Sequence, residues 1–288
     1  MTDARPAGRP AAPPPLFTPS RLALYRDCPE AYRLRVLARH PEPATFSAAL
    51  ERGKAVHAAL AACADAVRRG RELPTDLAGR VAAALPRECF PDERAWRAET
   101  TAALSQIAAG AGYLPGDARI LGVEAFHRFP YGGDALTPPF VLGAIADLIV
   151  AARDADGVAY LNVIDWKTGG RKAVDLLQEV CLRIAARHAF RAGDYGYLVS
   201  TTVFLVDGTA SAVVRDDVTC RQIWREIKGL VTAAAADRLF APSPSNRCQW
   251  CAYFGNGCIL DRPGAAGDGE TAMWLEDEAG GDGGSVAR

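Results

Sequence analysis

The sequence predicts an α/β fold with a mixed sheet, and three observations carry that prediction. Up to residue 113 the apolar residues recur mostly at helical spacing and strand signals are few. From residue 120 the pattern changes to three strand-like runs, 120–131, 140–151 and 158–166, separated by Gly, Pro and Asp turns. After them comes a helical stretch, 172–190, then two strands, 195–206 and 210–214, then a helix, 219–240. The order helices, three strands, helix, two strands, helix is that of an α/β core with mixed strand pairing.

Each element has a local reason. Thr18 is suited to cap a helix whose first turn accepts Pro19. The apolar positions Leu22, Tyr25, Leu34 and Leu37 continue past a break at Cys28-Pro29, where a second short helix is expected. Residues 46–69 form an Ala-rich helical stretch that contains His57. Residues 73–113 read as a helical insertion covering one side of the site. In 172–190 the helical spacing is set by Ala173, Leu176, Leu177, Val180 and Ile184, and Asp207-Gly208 signals a hairpin between the last two strands. Residues 1–17 are expected to be a disordered, Pro/Ala-rich N-terminus, 18–262 the folded domain, and 263–288 a disordered Gly/Asp/Glu-rich tail.

A chain of 288 residues, 49% hydrophobic and 23% charged, fits one large globular domain or one domain with an insertion. The net charge of −1 argues against a sequence-tolerant nucleic-acid coat protein. It leaves open an enzyme that needs a basic groove only near the scissile phosphate. No run of about eighteen uncharged apolar residues is present, so no membrane helix is expected. The N-terminal stretch lacks the apolar core of a signal peptide, so a cytoplasmic location with reduced thiols is expected. There is no Gly-x-x-x-x-Gly-Lys-Ser/Thr loop, so ATP hydrolysis of that type is excluded.

The most informative stretch is Asp165-Trp166-Lys167, at the end of a strand-like run. Residues i and i+2 of a strand share a face, so a carboxylate and an ammonium stand together. Asp147 is a lone carboxylate within another apolar run, after Gly143-Ala144-Ile145-Ala146. Two carboxylates can hold a hard cation such as Mg²⁺, and the lysine can orient water and stabilise charge on a phosphate. His57 shares a helical face with Gly53 and Leu60. Gly53 would let that helix approach the sheet, and neutral imidazole is a metal ligand. Taken alone, His57 reads rather as a surface or hydrogen-bonded histidine.

Of eight cysteines, Cys63, Cys89, Cys181 and Cys220 suit apolar or helical runs. Cys248, Cys251 and Cys258 form C-x2-C-x6-C in a Gly/Pro-rich loop, which calls for a metal. Cys28, at the helix break, is the candidate fourth ligand. It would staple the N-terminal helices to the C-terminal loop. Thiol spacing does not separate zinc from a 4Fe–4S cluster.

Taken in order, Thr18-Pro-Ser-Arg-Leu with Tyr25 and Cys28-Pro29, Gly53-Lys-Ala-Val-His57, Gly143-Ala-Ile-Ala-Asp147, Ile164-Asp-Trp-Lys-Thr-Gly169 and the C-terminal cysteines resemble the RecB-type PD-(D/E)xK nucleases. More narrowly they resemble the iron–sulfur branch, which includes AddB-like nuclease domains and CRISPR-associated exonucleases of the Cas4 type. The resemblance implies a restriction-endonuclease-like core. It implies His57, Asp147 and Asp165 as ligands of Mg²⁺ or Mn²⁺ and Lys167 as the catalytic lysine. It also implies Cys28, Cys248, Cys251 and Cys258 as ligands of a 4Fe–4S cluster. Glu124 falls loosely where some members keep another acid. Gln178 matches a family glutamine, but Leu182 stands where the family has a tyrosine that contacts substrate. Arg52, Lys54, Arg171 and Lys172 are candidate phosphate contacts. The implied function is exonucleolytic cleavage of single-stranded DNA ends, in DNA repair or CRISPR adaptation, with a helicase or CRISPR adaptation proteins as partners. The competing expectation is a non-catalytic DNA-binding or adaptor module.

Overall fold

The computed structural model describes residues 13–42, 47–116, 118–170 and 174–261. The expectations for residues 1–12 and for the tail from 262 on lie outside that range. Six strands form one mixed sheet. They are β1 (Leu16–Phe17), β2 (Arg119–Tyr131), β3 (Phe140–Arg153), β4 (Ala159–Lys167), β5 (Tyr197–Phe204) and β6 (Thr209–Val213). The order is β1-β3-β4-β5-β6, with β2 on the other edge of β3. β2, β3 and β4 pair antiparallel in succession, β4 and β5 pair parallel, and β5 and β6 close as a hairpin.

The helices are α1 (Pro19–Asp27), α2 (Pro29–Tyr32), α3 (Ala48–Arg68), α4 (Leu77–Ala84), α5 (Glu93–Ala111), α6 (Leu176–Ala189) and α7 (Asp217–Ala236). Thr18 caps α1 by accepting from the Arg21 N–H at 3.3 Å, and Pro19 opens the helix as its local chemistry predicts. Asp216 caps α7 from two residues earlier than the sequence suggests, through the Thr219 N–H at 2.8 Å.

One expectation is corrected at the N-terminus. Leu16 and Phe17 are not disordered: they pair in parallel with Val141 and Leu142, and Phe17 is buried. Two residues are too few to show a strand period, so only the waiting edge of β3 makes them a strand. Leu37, expected to continue the apolar face, is instead exposed.

The sheet is covered on both faces. On one, α3, α4 and α5 bury Val56, Leu60, Val81, Ala103 and Ile107 against Leu148, Val150, Ile164 and Trp166. On the other, α6 buries Leu182, Ala185 and Ala186 against Ala144, Ala146, Leu161 and Val163. Beside α6, helices α1 and α7 close over Phe17, Phe140 and Leu142. Leu60 is fully enclosed, and Gly110 on α5 lies so close that a Cβ there would stand 2.6 Å from a Leu60 methyl. Leu60→Ala should therefore lower stability by about 2–5 kcal/mol, because neighbours packed this closely cannot collapse into the cavity. Denaturant unfolding of that variant measures it.

Candidate active site

The site forms where two strands part. β3 and β4 pair from Arg153↔Ala159 to Leu148↔Ile164 and no further. The next residue on β3 is Asp147, 8% exposed, whose Oδ2 accepts the Trp166 N–H at 2.7 Å. A charge-assisted hydrogen bond thus replaces the ladder and fixes the carboxylate between the strand ends.

Along β3, Ala144 and Ala146 pack beneath α6, yet Leu148 and Val150 pack beneath α3. Strict alternation would keep all four on one face. The parity therefore changes at Asp147–Leu148, and both of these residues face α3. On β2 the matching residue is Glu124, between the pairs Val123↔Leu148 and Ala125↔Ala146. Its φ is +44°, the left-handed region, at a cost of order 1–3 kcal/mol. A register shift lies close by, between Ile120 and Gly122. Irregularities of this kind re-aim side chains at functional sites.

α3 supplies the third group. His57 Nδ1 lies 3.3 Å from Asp147 Oδ1 and 3.5 Å from Glu124 Oε1. One ligand atom from each of the three residues lies within 4.8 Å of the others. Gly53, one turn before His57, has the role its position suggests: a Cβ there would meet Thr168 Oγ1 at 3.1 Å, so the helix lies against the end of β4. Burial disfavours a charge on His57, but hydrogen bonds it donates to Asp147 and Glu124, together with their charges, outweigh it and raise its pKa to about 10.

A histidine whose folded pKa exceeds its unfolded value near 6.5 stabilises the fold fully below that pH. The contribution fades as pH rises through about 10. In EDTA, the gap in melting temperature between the protein and His57→Ala should shrink from pH 6 to pH 10. A gap that widens would contradict the ion pair.

Asp165 and Lys167 meet as a pair, Oδ2 to Nζ, at 2.7 Å. Gln178, from the first turn of α6, bridges them. Its Nε2 donates to Asp165 Oδ1 at 3.2 Å, and its Oε1 accepts from Lys167 Nζ at 3.0 Å. Burial raises the Asp165 pKa, Lys167 opposes this, and the Asp147 charge adds to it. Two carboxylates in one gap thus resist sharing full negative charge, and a cation would relieve both. Three carboxylates and an imidazole suit a hard divalent ion, with Asp165 standing outside the tight three-atom set.

A model of the PD-(D/E)XK nuclease superfamily matches residues 16–255. This chain belongs to that superfamily. No curated protein matches it. Among solved structures it is similar to SSO0001, at 12% identity and a TM-score of 0.29, over 78% of this chain and 91% of that one.

As a PD-(D/E)XK nuclease the chain places its other candidate residues unevenly. Arg52 pairs with Glu99 of α5 at 2.5 Å and ties two helices together. Lys54 is exposed and pairs with Glu51 at 2.7 Å. Arg171 and Lys172 lie outside the described residues. Gln178, a candidate substrate contact, bonds to both members of the acid–lysine pair. Leu182 is buried under the sheet, so its position offers no hydroxyl to a substrate. Glu124, only loosely matched from sequence, joins the tight set. Nothing local announces its backbone, because a glutamate gives no sign of a positive φ.

A cavity lies between the N-terminal helices and the C-terminal loop. Cys28, Cys248, Cys251 and Cys258 line one cavity of about 450 Å³. Its wall is a small core of Ala31, Leu34 and Tyr253, with Cys28 and Cys251 packed against it. Arg247 pairs with Asp27, and the Tyr253 hydroxyl donates to Glu42 at 3.0 Å. The four cysteines line this one space, but among the described residues their sulfurs do not form a tight ligand set like that of His57, Glu124 and Asp147. No described helix is long and apolar enough to cross a membrane.

Proposed function

We propose that this chain is a Mg²⁺- or Mn²⁺-dependent deoxyribonuclease that removes nucleotides from single-stranded DNA ends. The observation that carries the reading is the Lys167–Asp165 pair beside the His57, Glu124 and Asp147 set, in one gap of the sheet. His57, Glu124, Asp147 and Asp165 would hold the cation. When bound, it supplies an acidified water and offsets charge on the phosphate.

The protein's own groups do the rest. The Trp166 N–H holds Asp147 in one rotamer. Gln178 holds Lys167 close to Asp165, where the ammonium orients the attacking water and donates to the phosphate oxygen that gains charge. The attacking water yields its proton toward the carboxylates, and the 3′-oxygen or 5′-oxygen departs opposite it and takes up a proton from solvent water.

The four thiols would hold a 4Fe–4S cluster with a structural role, closing the N-terminal helices onto the C-terminal loop. What supports the assignment is that all four cysteines line one cavity, and iron, labile-sulfide and zinc analysis of anaerobically purified protein separates a cluster from lone zinc. A helicase or CRISPR adaptation proteins are the proposed partners, since the sequence has no P-loop of its own. The test is end-labelled single-stranded DNA with Mn²⁺ or EDTA. Metal-dependent release of label supports the reading. Metal-independent DNA binding without turnover would replace it with the adaptor reading.

A further inference from the structure

Beyond Asp147 the sheet face toward α3 is only partly covered among the described residues. On β2 the residues there are Glu124, Phe126 and Arg128, and on β3 they are Asp147, Ile145 and Gly143. The ladder pairs Phe126 with Ile145 and Arg128 with Gly143. Their other-face neighbours are covered: His127 meets Phe190 of the segment after α6, and Phe129 meets Trp224 of α7. Phe126 is 41% exposed and Ile145 is 53% exposed, large apolar groups in mid-strand. They stand one same-face step, about 7 Å along each strand, from Glu124 and Asp147.

Phe126 is exposed but held. A Cβ at position 143 would lie 2.4 Å from its Cζ, so the ring rests in the space that Gly143 leaves open. The Arg128 guanidinium stands 5.4 Å from the ring centroid, and among the described residues it has no carboxylate partner. An immobilised ring, an aliphatic neighbour and an unpaired cation make a surface for a planar base attached to a phosphate. Bases in a duplex are stacked on both faces. A single strand offers a free face.

We propose that Phe126 and Ile145 form a shelf on which an unpaired base stacks, with Arg128 on its phosphate, one step from the metal-ligand set. The proposal rests on the nuclease reading above and supplies a reason for a preference for single strands. Phe126 and Arg128 are thus substrate-positioning residues.

The test uses the full chain carrying Lys167→Ala, which halts turnover, with Mn²⁺ and an oligodeoxynucleotide containing 2-aminopurine near its end. With Phe126 present the single strand should bind with quenched fluorescence. Phe126→Ala should lose the quenching and bind about tenfold more weakly. Phe126→Trp should retain both, and affinity for a blunt duplex should change little. Arg128→Ala should weaken binding and lower its salt slope by about one. Ile145→Ser, at an exposed position, serves if Phe126→Ala does not fold. Unchanged quenching and affinity in Phe126→Ala, or in Ile145→Ser in its stead, overturns the shelf alone. Wild-type protein that neither binds nor cleaves single-stranded DNA overturns the nuclease reading and the shelf with it.

Discussion

Lys167→Ala is expected to lower the single-turnover cleavage rate by about 10²–10³-fold or more while DNA affinity changes little. The ammonium pairs with Asp165, beside the set of Asp147, Glu124 and the partly buried His57. Among the residues of β4 it is the one side-chain cation, placed to meet charge that develops on the phosphate. Affinity depends instead on phosphate contacts spread over the surface, to which one partly exposed lysine adds little. The fold should tolerate the change, since the Lys167 side chain is 36% exposed. Gln178→Ala removes the bridge but leaves the lysine, so a smaller loss is expected, about tenfold. Lys167→Ala protein as active as wild type would remove this residue from the chemistry.

Cys251→Ser is expected to abolish visible absorption of the purified protein and to lower its melting temperature. The C-terminal loop carries only short turns of 3-10 helix, and the core it makes with the N-terminal helices contains three fully buried residues, Ala31, Leu34 and Tyr253. So small a core cannot offset the entropy of ordering the loop. Polar contacts across it include Arg247–Asp27 and Tyr253–Glu42, both partly exposed, and an exposed ion pair contributes about 0–1 kcal/mol. Metal-binding free energy would therefore be folding free energy for this corner. Cys220→Ser is the control, because Cys220 lies on α7, outside the thiol-lined cavity. Colour retained in Cys251→Ser, or lost equally in Cys220→Ser, would refute the ligand assignment.

Much of the fold was legible because its signals are local. The Thr18-Pro19 cap, the change of period at residue 120 and the Asp207-Gly208 turn each depend on a few neighbouring side chains. The Asp165–Lys167 pair was legible for the same reason, since a strand puts i and i+2 on one face. Three features were not. β1 exists because an edge of β3 is free where β4 departs, and no two-residue string encodes that. Arg52 looks like any basic residue near a helix start until α5 brings Glu99 to it. Glu124 sits on a strand at a positive φ that the surrounding sheet imposes.

By itself, the sequence determined the element order, the acids and lysine of the gap, the helix that carries His57 and the thiols that share a cavity. Periodicity, capping and donor chemistry are properties of residue types and short spacings, so they can be read along the chain. Tertiary structure alone decided that Glu124 completes the tight set, that Gln178 holds the acid–lysine pair, and that Phe126 and Ile145 stand partly exposed beside it. Those outcomes follow from where β3 and β4 part and where the cover of α3 ends. Such meetings between distant segments cost chain entropy that only the whole packed core can offset.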